Sequence, residues 1–178
     1  MWKKAMIPLW VLASVWAAAG SYDTEANPSK IFVGVQLGKA WVQGSHESSL
    51  DYQTDGLAYG LRLGAQNQEW RSMVTFDHFD NDEVIYDRGE IHADYLFRMA
   101  SDTAGVGIVP FIGVNGGYAT YKARGGFEDG GLTYGGEAGV IFDVSESIDV
   151  DVMYQYTVGN ADVLDSIGNL KVGINYKY

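Results

Sequence analysis

The chain has 178 residues, no cysteine and a formal net charge of −11. Without cysteine there are no disulfides, no thiol catalysis and no cysteine-bound metal, and the acidic balance argues against a nucleic-acid partner. The mixture of 23 glycines and 12 tyrosines with 3 prolines is unusual for a soluble enzyme. It suits a barrel, where glycine relieves crowding inside and tyrosine sits at a membrane interface.

The first predicted element is a leader. Lys3 and Lys4 precede an apolar run from Ala5 to Trp16, and Ala17-Ala18-Ala19 supplies small residues before Gly20. A positive start, a short apolar core and an A-x-A site describe a secretory signal peptide. The run is too short for a membrane anchor, which needs about 20 apolar residues, and Pro8 interrupts it. Residues 1–19 are therefore expected to be removed, with Gly20 as a weaker cleavage point. Loss of Lys3 and Lys4 takes the charge from −11 to −13. No cysteine follows the site, which excludes a lipoprotein.

Eight alternating segments follow within 20–178, read as one domain. Lys30 to Val42 sets Ile31, Val33, Val35, Leu37 and Trp41 against Gly34, Gln36, Gly38 and Ala40. Thr54 to Gln66 sets Leu57, Tyr59, Leu61 and Leu63 against Gly56, Gly60, Arg62 and Gly64. Trp70 to Phe79 alternates less cleanly, with Trp70, Val74 and Phe76 opposite Arg71, Thr75 and Asp77. Gly89 to Ala100 opposes Ile91, Ala93, Tyr95, Phe97 and Met99 to Glu90, His92, Asp94 and Arg98. Ile108 to Tyr121, Leu132 to Phe142 and Ser147 to Val158 repeat the plan, with Pro110 expected near a strand end because it lacks a ladder donor. The last, Leu170 to Tyr178, alternates Leu170, Val172, Ile174, Tyr176 and Tyr178 with Lys171, Gly173, Asn175 and Lys177. A period of two is the mark of a strand with two different faces, and a spanning strand needs about 9 to 11 residues.

An even strand number puts both termini on one side. Short turns near Asn67, Asp102 and Ser145 then fall on that side, expected to be the periplasm. The connections Gly44 to Gln53, Asp80 to Arg88, Lys122 to Gly131 and Gly159 to Asp165 face the other way. A soluble ligand-binding barrel also alternates. Here, however, the polar face is rich in glycine and carries charges at mid-strand, which fits a narrow filled interior better than a soluble exterior. Aromatics near strand ends on the apolar face (Trp41, Trp70, Phe97, Phe142, Tyr156 and Tyr178) fit two interfacial girdles. The expected fold is all-β: an eight-stranded antiparallel up-and-down transmembrane barrel with a polar interior.

The terminus LKVGINYKY and the eight segments together resemble the small outer-membrane barrels typified by the OmpA membrane domain, OmpX, Opa and Ail. The resemblance covers nearly all of the mature chain and contains no motif that picks out one member. It implies a Gram-negative outer-membrane location and contact with outer-membrane lipid and lipopolysaccharide. It also implies an assembly signal at Tyr176 and Tyr178, read by the barrel-assembly machinery. Nothing in the sequence calls for a cofactor. A wall-tethering role through a peptidoglycan-binding domain is not expected.

Counting along the strands places Arg62, Asp94, Arg98, Glu137, Asp151 and Lys171 at broadly similar depths inside. Buried charges must pair or they are very costly, so this cluster reads as a polar plug. The resemblance adds a second reading, an ion gate. Some members of the class modify lipid A, so catalysis must be weighed. His46-Glu47-Ser48 offers suitable groups, but consecutive loop residues point apart, and His78 and His92 read as interior or rim residues. The run Asp80-Asn81-Asp82-Glu83 with Asp87 has oxygens for calcium but lacks the glycine and distal glutamate of an EF-hand loop. Lys39 is the odd residue on the apolar face: it meets a lipopolysaccharide phosphate, snorkels to the interface, or turns inward at a bulge. The function these features favour is a non-enzymatic envelope protein with four surface loops for contact, ahead of a narrow pore or a lipid A-modifying enzyme.

Overall fold

The computed structural model describes residues 28–44, 52–82, 84–98, 107–123, 128–160 and 165–178. Eight strands follow one another: β1 (Lys30–Gly44), β2 (Tyr52–Gln66), β3 (Trp70–Asp80), β4 (Val84–Leu96), β5 (Gly107–Ala123), β6 (Glu128–Asp143), β7 (Ile148–Gly159) and β8 (Ser166–Lys177). Each pairs antiparallel with the next, and β8 closes on β1. The register runs from Phe32 through Gly64, Met73, His92, Asn115, Gly135, Thr157 and Ile167 to Val42. One circuit thus advances the starting strand from 32 to 42, a stagger of ten residues. Such stagger is what tilts the strands of a closed barrel.

The expected leader lies outside the described residues, as do His46-Glu47-Ser48 and Asp102. All eight expected segments are strands, but three begin early: β4 at Val84 rather than Gly89, β6 at Glu128 rather than Leu132 and β8 at Ser166 rather than Leu170, and β4 ends at Leu96 rather than Ala100. The expected loop from Asp80 to Arg88 is therefore a tight turn. Asn81 makes it: its backbone N–H donates to the Val84 carbonyl at 3.0 Å, and its Oδ1 accepts from the Val84 N–H at 2.8 Å. Pro110 sits four residues into β5, one rung beyond the last β4 pair, Leu96 with Phe111. Its missing N–H faces past the end of β4, while its carbonyl accepts from the Phe97 N–H at 2.8 Å.

The outward face is apolar. Val35, Leu37, Leu57, Leu61, Ile112, Val114, Leu132 and Ile174 are all exposed. Exposed aliphatic side chains around a whole circumference cannot face water without a large penalty, about 1.5–3 kcal/mol each. They require hydrocarbon. Aromatics border this band: Trp70, Tyr95 and Phe97 form an edge-to-face ladder with centroids 5.2 and 5.1 Å apart at the end that holds the termini. Tyr176 and Tyr178 meet edge-on at 5.1 Å at the same end, on the β8 side of the barrel. Tyr59, Tyr118, Tyr134 and Tyr156 are exposed toward the opposite end.

The inward face is not uniformly polar. Phe32, Met73, Leu96, Val109, Phe111, Ile141 and Met153 form an apolar cluster toward the termini. Ala40, Val42, Ala58, Phe79, Val84, Tyr86, Ala119, Tyr121 and Ile167 form another toward the far end. Phe79 and Tyr86 stack there with centroids 4.9 Å apart. The inward Met73 and Phe79 explain why the third segment alternates poorly: both of its faces carry apolar residues.

Candidate functional site

Between the apolar clusters lies a network of buried ion pairs. Five of the six residues expected there, Arg62, Asp94, Glu137, Asp151 and Lys171, are buried inside the barrel. Arg98 is not among them. It lies beyond the end of β4, part-exposed at the rim, and donates to Asp143 at 3.1 Å and to the Gln68 carbonyl at 3.1 Å. Its parity on the strand is right for the interior, but the strand ends before it and the guanidinium reaches water.

Arg62 meets Asp151 at 2.5 Å, with both side chains fully buried. Its other nitrogens donate to the Gln36 Oε1 at 3.1 and 2.6 Å. The Gln36 amide donates in turn to Asp77. Asp77 also takes Lys171 at 2.7 Å and Arg88 at 2.9 Å. Arg71 joins Asp94 at 2.7 Å and Asp151 at 3.3 Å, and lies over the Phe111 ring at 4.3 Å. Arg88 continues to Glu90 at 3.1 Å, and Glu90 accepts from Gln155 at 2.8 Å. At the mouth near the termini, Lys177 pairs with Asp143 at 2.9 Å and Asp149 at 3.3 Å, while Asn175 donates to Asp149 and Asp151 at 2.6 and 2.9 Å.

Arg71, Asp77, Arg88, Glu90, His92 and Asp149 are therefore members that the predicted cluster left out. Arg71, Asp77, Glu90, His92 and Asp149 share the inward parity of the expected members. Arg88 was concealed by the expected loop. Burying so many charges is tolerable only because cations and carboxylates are shared; removing one partner of a buried pair typically costs about 3–5 kcal/mol.

One part of the network has the order of a hydrolytic triad. The Thr75 hydroxyl lies 3.0 Å from His92 Nε2, and Glu137 lies 2.8 Å from His92 Nδ1. A triad needs its nucleophile beside a substrate carbonyl and an oxyanion site. Thr75, His92 and Glu137 are all buried in the barrel, so this geometry binds charge and does not present a nucleophile.

The outward polar residues form separate pairs. Lys39 faces out with no bulge, 2.8 Å from Asp55 and 5.6 Å from the Trp41 ring. His78 also faces out, 2.7 Å from Asp87 and beside the Tyr59 ring at 5.2 Å; of the two expected places it takes the rim, while His92 takes the interior. Asp80 ends β3, Asp87 lies within β4, and the Asn81 side chain is engaged in its turn and with the Thr54 hydroxyl at 2.7 Å. Among the described residues no three His, Asp or Glu side chains are grouped to hold a metal.

A closed eight-stranded sheet with an apolar exterior and a filled, charged lumen defines the fold of a small transmembrane β-barrel. Solved structures share this fold. Neisserial surface protein A superposes with a TM-score of 0.61 at 18% identity, over 82% of this chain and 97% of that one. Outer membrane protein H of P. aeruginosa gives 0.57 at 17% identity, over 84% and 99%. The N-terminal β-barrel domain of Pseudomonas aeruginosa OprF gives 0.54 at 16% identity, over 82% and 97%. No protein-family model and no curated protein matches the chain in sequence.

Proposed function

We propose that this is a non-enzymatic, non-conducting outer-membrane barrel that contributes to envelope integrity and makes surface contact through its outer connections. The observation that carries this reading is the filled lumen. Ion pairs and two apolar clusters occupy the space that a channel or an internal ligand would need. Interiors of such narrow barrels are just wide enough for side chains to fill. What remains available to partners is the lipid-facing wall and the rim.

In this reading residues 1–19 direct export, both termini face the periplasm, and the connections 45–51, 81–83, 124–127 and 160–165 face outside. Their shortness favours a role in packing the envelope over one that needs long adhesive loops. Outer-membrane lipid and lipopolysaccharide are the direct partners, with Lys39 and His78 at the level where headgroups begin. Tyr176 and Tyr178 serve as the signal for the assembly machinery, so Tyr178→Ala should lower the fraction of chain inserted in the membrane.

Two measurements test the proposal. Purified protein in planar bilayers should give no discrete single-channel steps, and a deletion strain should become more sensitive to detergent. Steady conductance would replace this reading with a pore. Unchanged detergent sensitivity with lost attachment to surfaces would replace it with an adhesin.

A further inference from the structure

The ion pairs differ in what they join. Arg71 and Asp94 sit on neighbouring strands, as do Arg88 and Asp77; each pair can form within a single hairpin. Arg62 and Asp151 cannot. Arg62 is on β2 and Asp151 on β7, and the shortest way between them around the wall crosses β1 and β8, the junction where the chain's ends meet. Lys171 on β8 and Asp77 on β3 are likewise separated by β1 and β2.

Glycines clear both routes. A Cβ on Gly34 of β1 would lie 3.0 Å from the Arg62 Cγ, and one on Gly173 of β8 would coincide with the Arg62 guanidinium. Gly34 is the register partner of Arg62, and Gly173 is the register partner of Asp151. Arg62 therefore lies along the wall over two bare backbones. The second route runs the other way. A Cβ on Gly38 of β1 would lie 3.0 Å from the Lys171 Cγ, and one on Gly60 of β2 would meet the Asp77 carboxylate. Gln36 of β1 ties the two routes together, accepting from Arg62 through its carbonyl and donating to Asp77 through its amide.

We infer that Arg62–Asp151 and Lys171–Asp77 are a pair of staples that hold the β1–β8 junction shut. They run side by side with opposite polarity: cation on β2 and acid on β7 in one, cation on β8 and acid on β3 in the other. Each exists only when the first and last strands are joined. They act on closure of the barrel and not on the pairing of its hairpins. Of the four glycines, Gly173 is the one where a Cβ would meet the staple alone; at 34, 38 and 60 it would also press on a backbone carbonyl of the next strand.

Backbone hydrogen–deuterium exchange, read strand by strand by NMR on the folded protein in micelles, tests this. Lys171→Met and Asp151→Asn should each speed exchange in the β1–β8 ladder at least tenfold while leaving the β5–β6 ladder unchanged. Gly173→Ala should reproduce the effect without removing any charge. Gly136→Ala, on an outward face with nothing closer than 3.5 Å to its new methyl group, should not. Glu137→Gln, which breaks a pair between β4 and β6, should leave the junction as it is. If Asp151→Asn fails to insert, Lys171→Met and Gly173→Ala read the same junction. Uniform acceleration in all strands, or no change at β1–β8 in the folded variants, would overturn the inference.

Discussion

Two ion pairs of similar length sit on opposite faces of the same sheet. Arg62–Asp151 is 2.5 Å long with both side chains fully buried, and Lys39–Asp55 is 2.8 Å long with both about half exposed (52% and 53%). Their chemistry is the same and their consequences are not. Inside the barrel a charge cannot turn to water, so it must be met by other buried groups. At the outer rim water and headgroups can solvate either member alone, so the pair is optional. The difference shows that position relative to the wall, and not the presence of a salt bridge, decides whether a charge matters to this protein.

The comparison can be broken most severely at Asp151, which receives Arg62, Arg71 and Asn175 together. Asp151→Ala leaves two buried guanidiniums short of a carboxylate and should cost about 3–5 kcal/mol. Urea unfolding in vesicles, followed by the heat-dependent mobility of the folded barrel on gels, measures this. A loss of under 1 kcal/mol would show that water reaches the lumen. The next largest effect tests the outer solvent. Leu61 is 62% exposed at mid-strand, and Leu61→Arg should cost about 2–4 kcal/mol if hydrocarbon surrounds it. A neutral substitution there would argue for an aqueous exterior. The smallest effect belongs to the rim. Lys39→Ala should change unfolding stability by less than about 1 kcal/mol; a change like that of Asp151→Ala would remove the distinction between the faces.

Much of this architecture is legible in the sequence because a strand carries its own two-residue ruler. Leu170 to Tyr178 states the rule, and the inward parity of Arg62, Asp94, Glu137, Asp151 and Lys171 follows from it. The rule weakens wherever local chemistry and position disagree. Asp80, Asn81, Asp82, Glu83 and Asp87 look like a loop by composition, yet Asn81 bonds back to Val84 and β4 starts there. Arg88 was hidden as a result. Arg98 shows the opposite fault, since correct parity does not keep a residue inside once the strand has ended. Phe32, Met73 and Phe111 point inward although apolar, because a narrow lumen is sealed by bulk as well as by charge. Alternation between apolar and polar cannot reveal a residue that packs on the polar side.

The sequence by itself determined the strands, their faces and the candidate charges, since each depends on neighbours two positions away along the chain. Only the tertiary structure decided which charge meets which. Arg62 finds Asp151, and Lys171 finds Asp77, because closure joins β8 to β1 with a stagger of ten residues (32 to 42) and brings strands from the two ends of the chain within one side chain's reach. A local period contains no information about that stagger. It is set by how eight tilted strands must pair for the sheet to close.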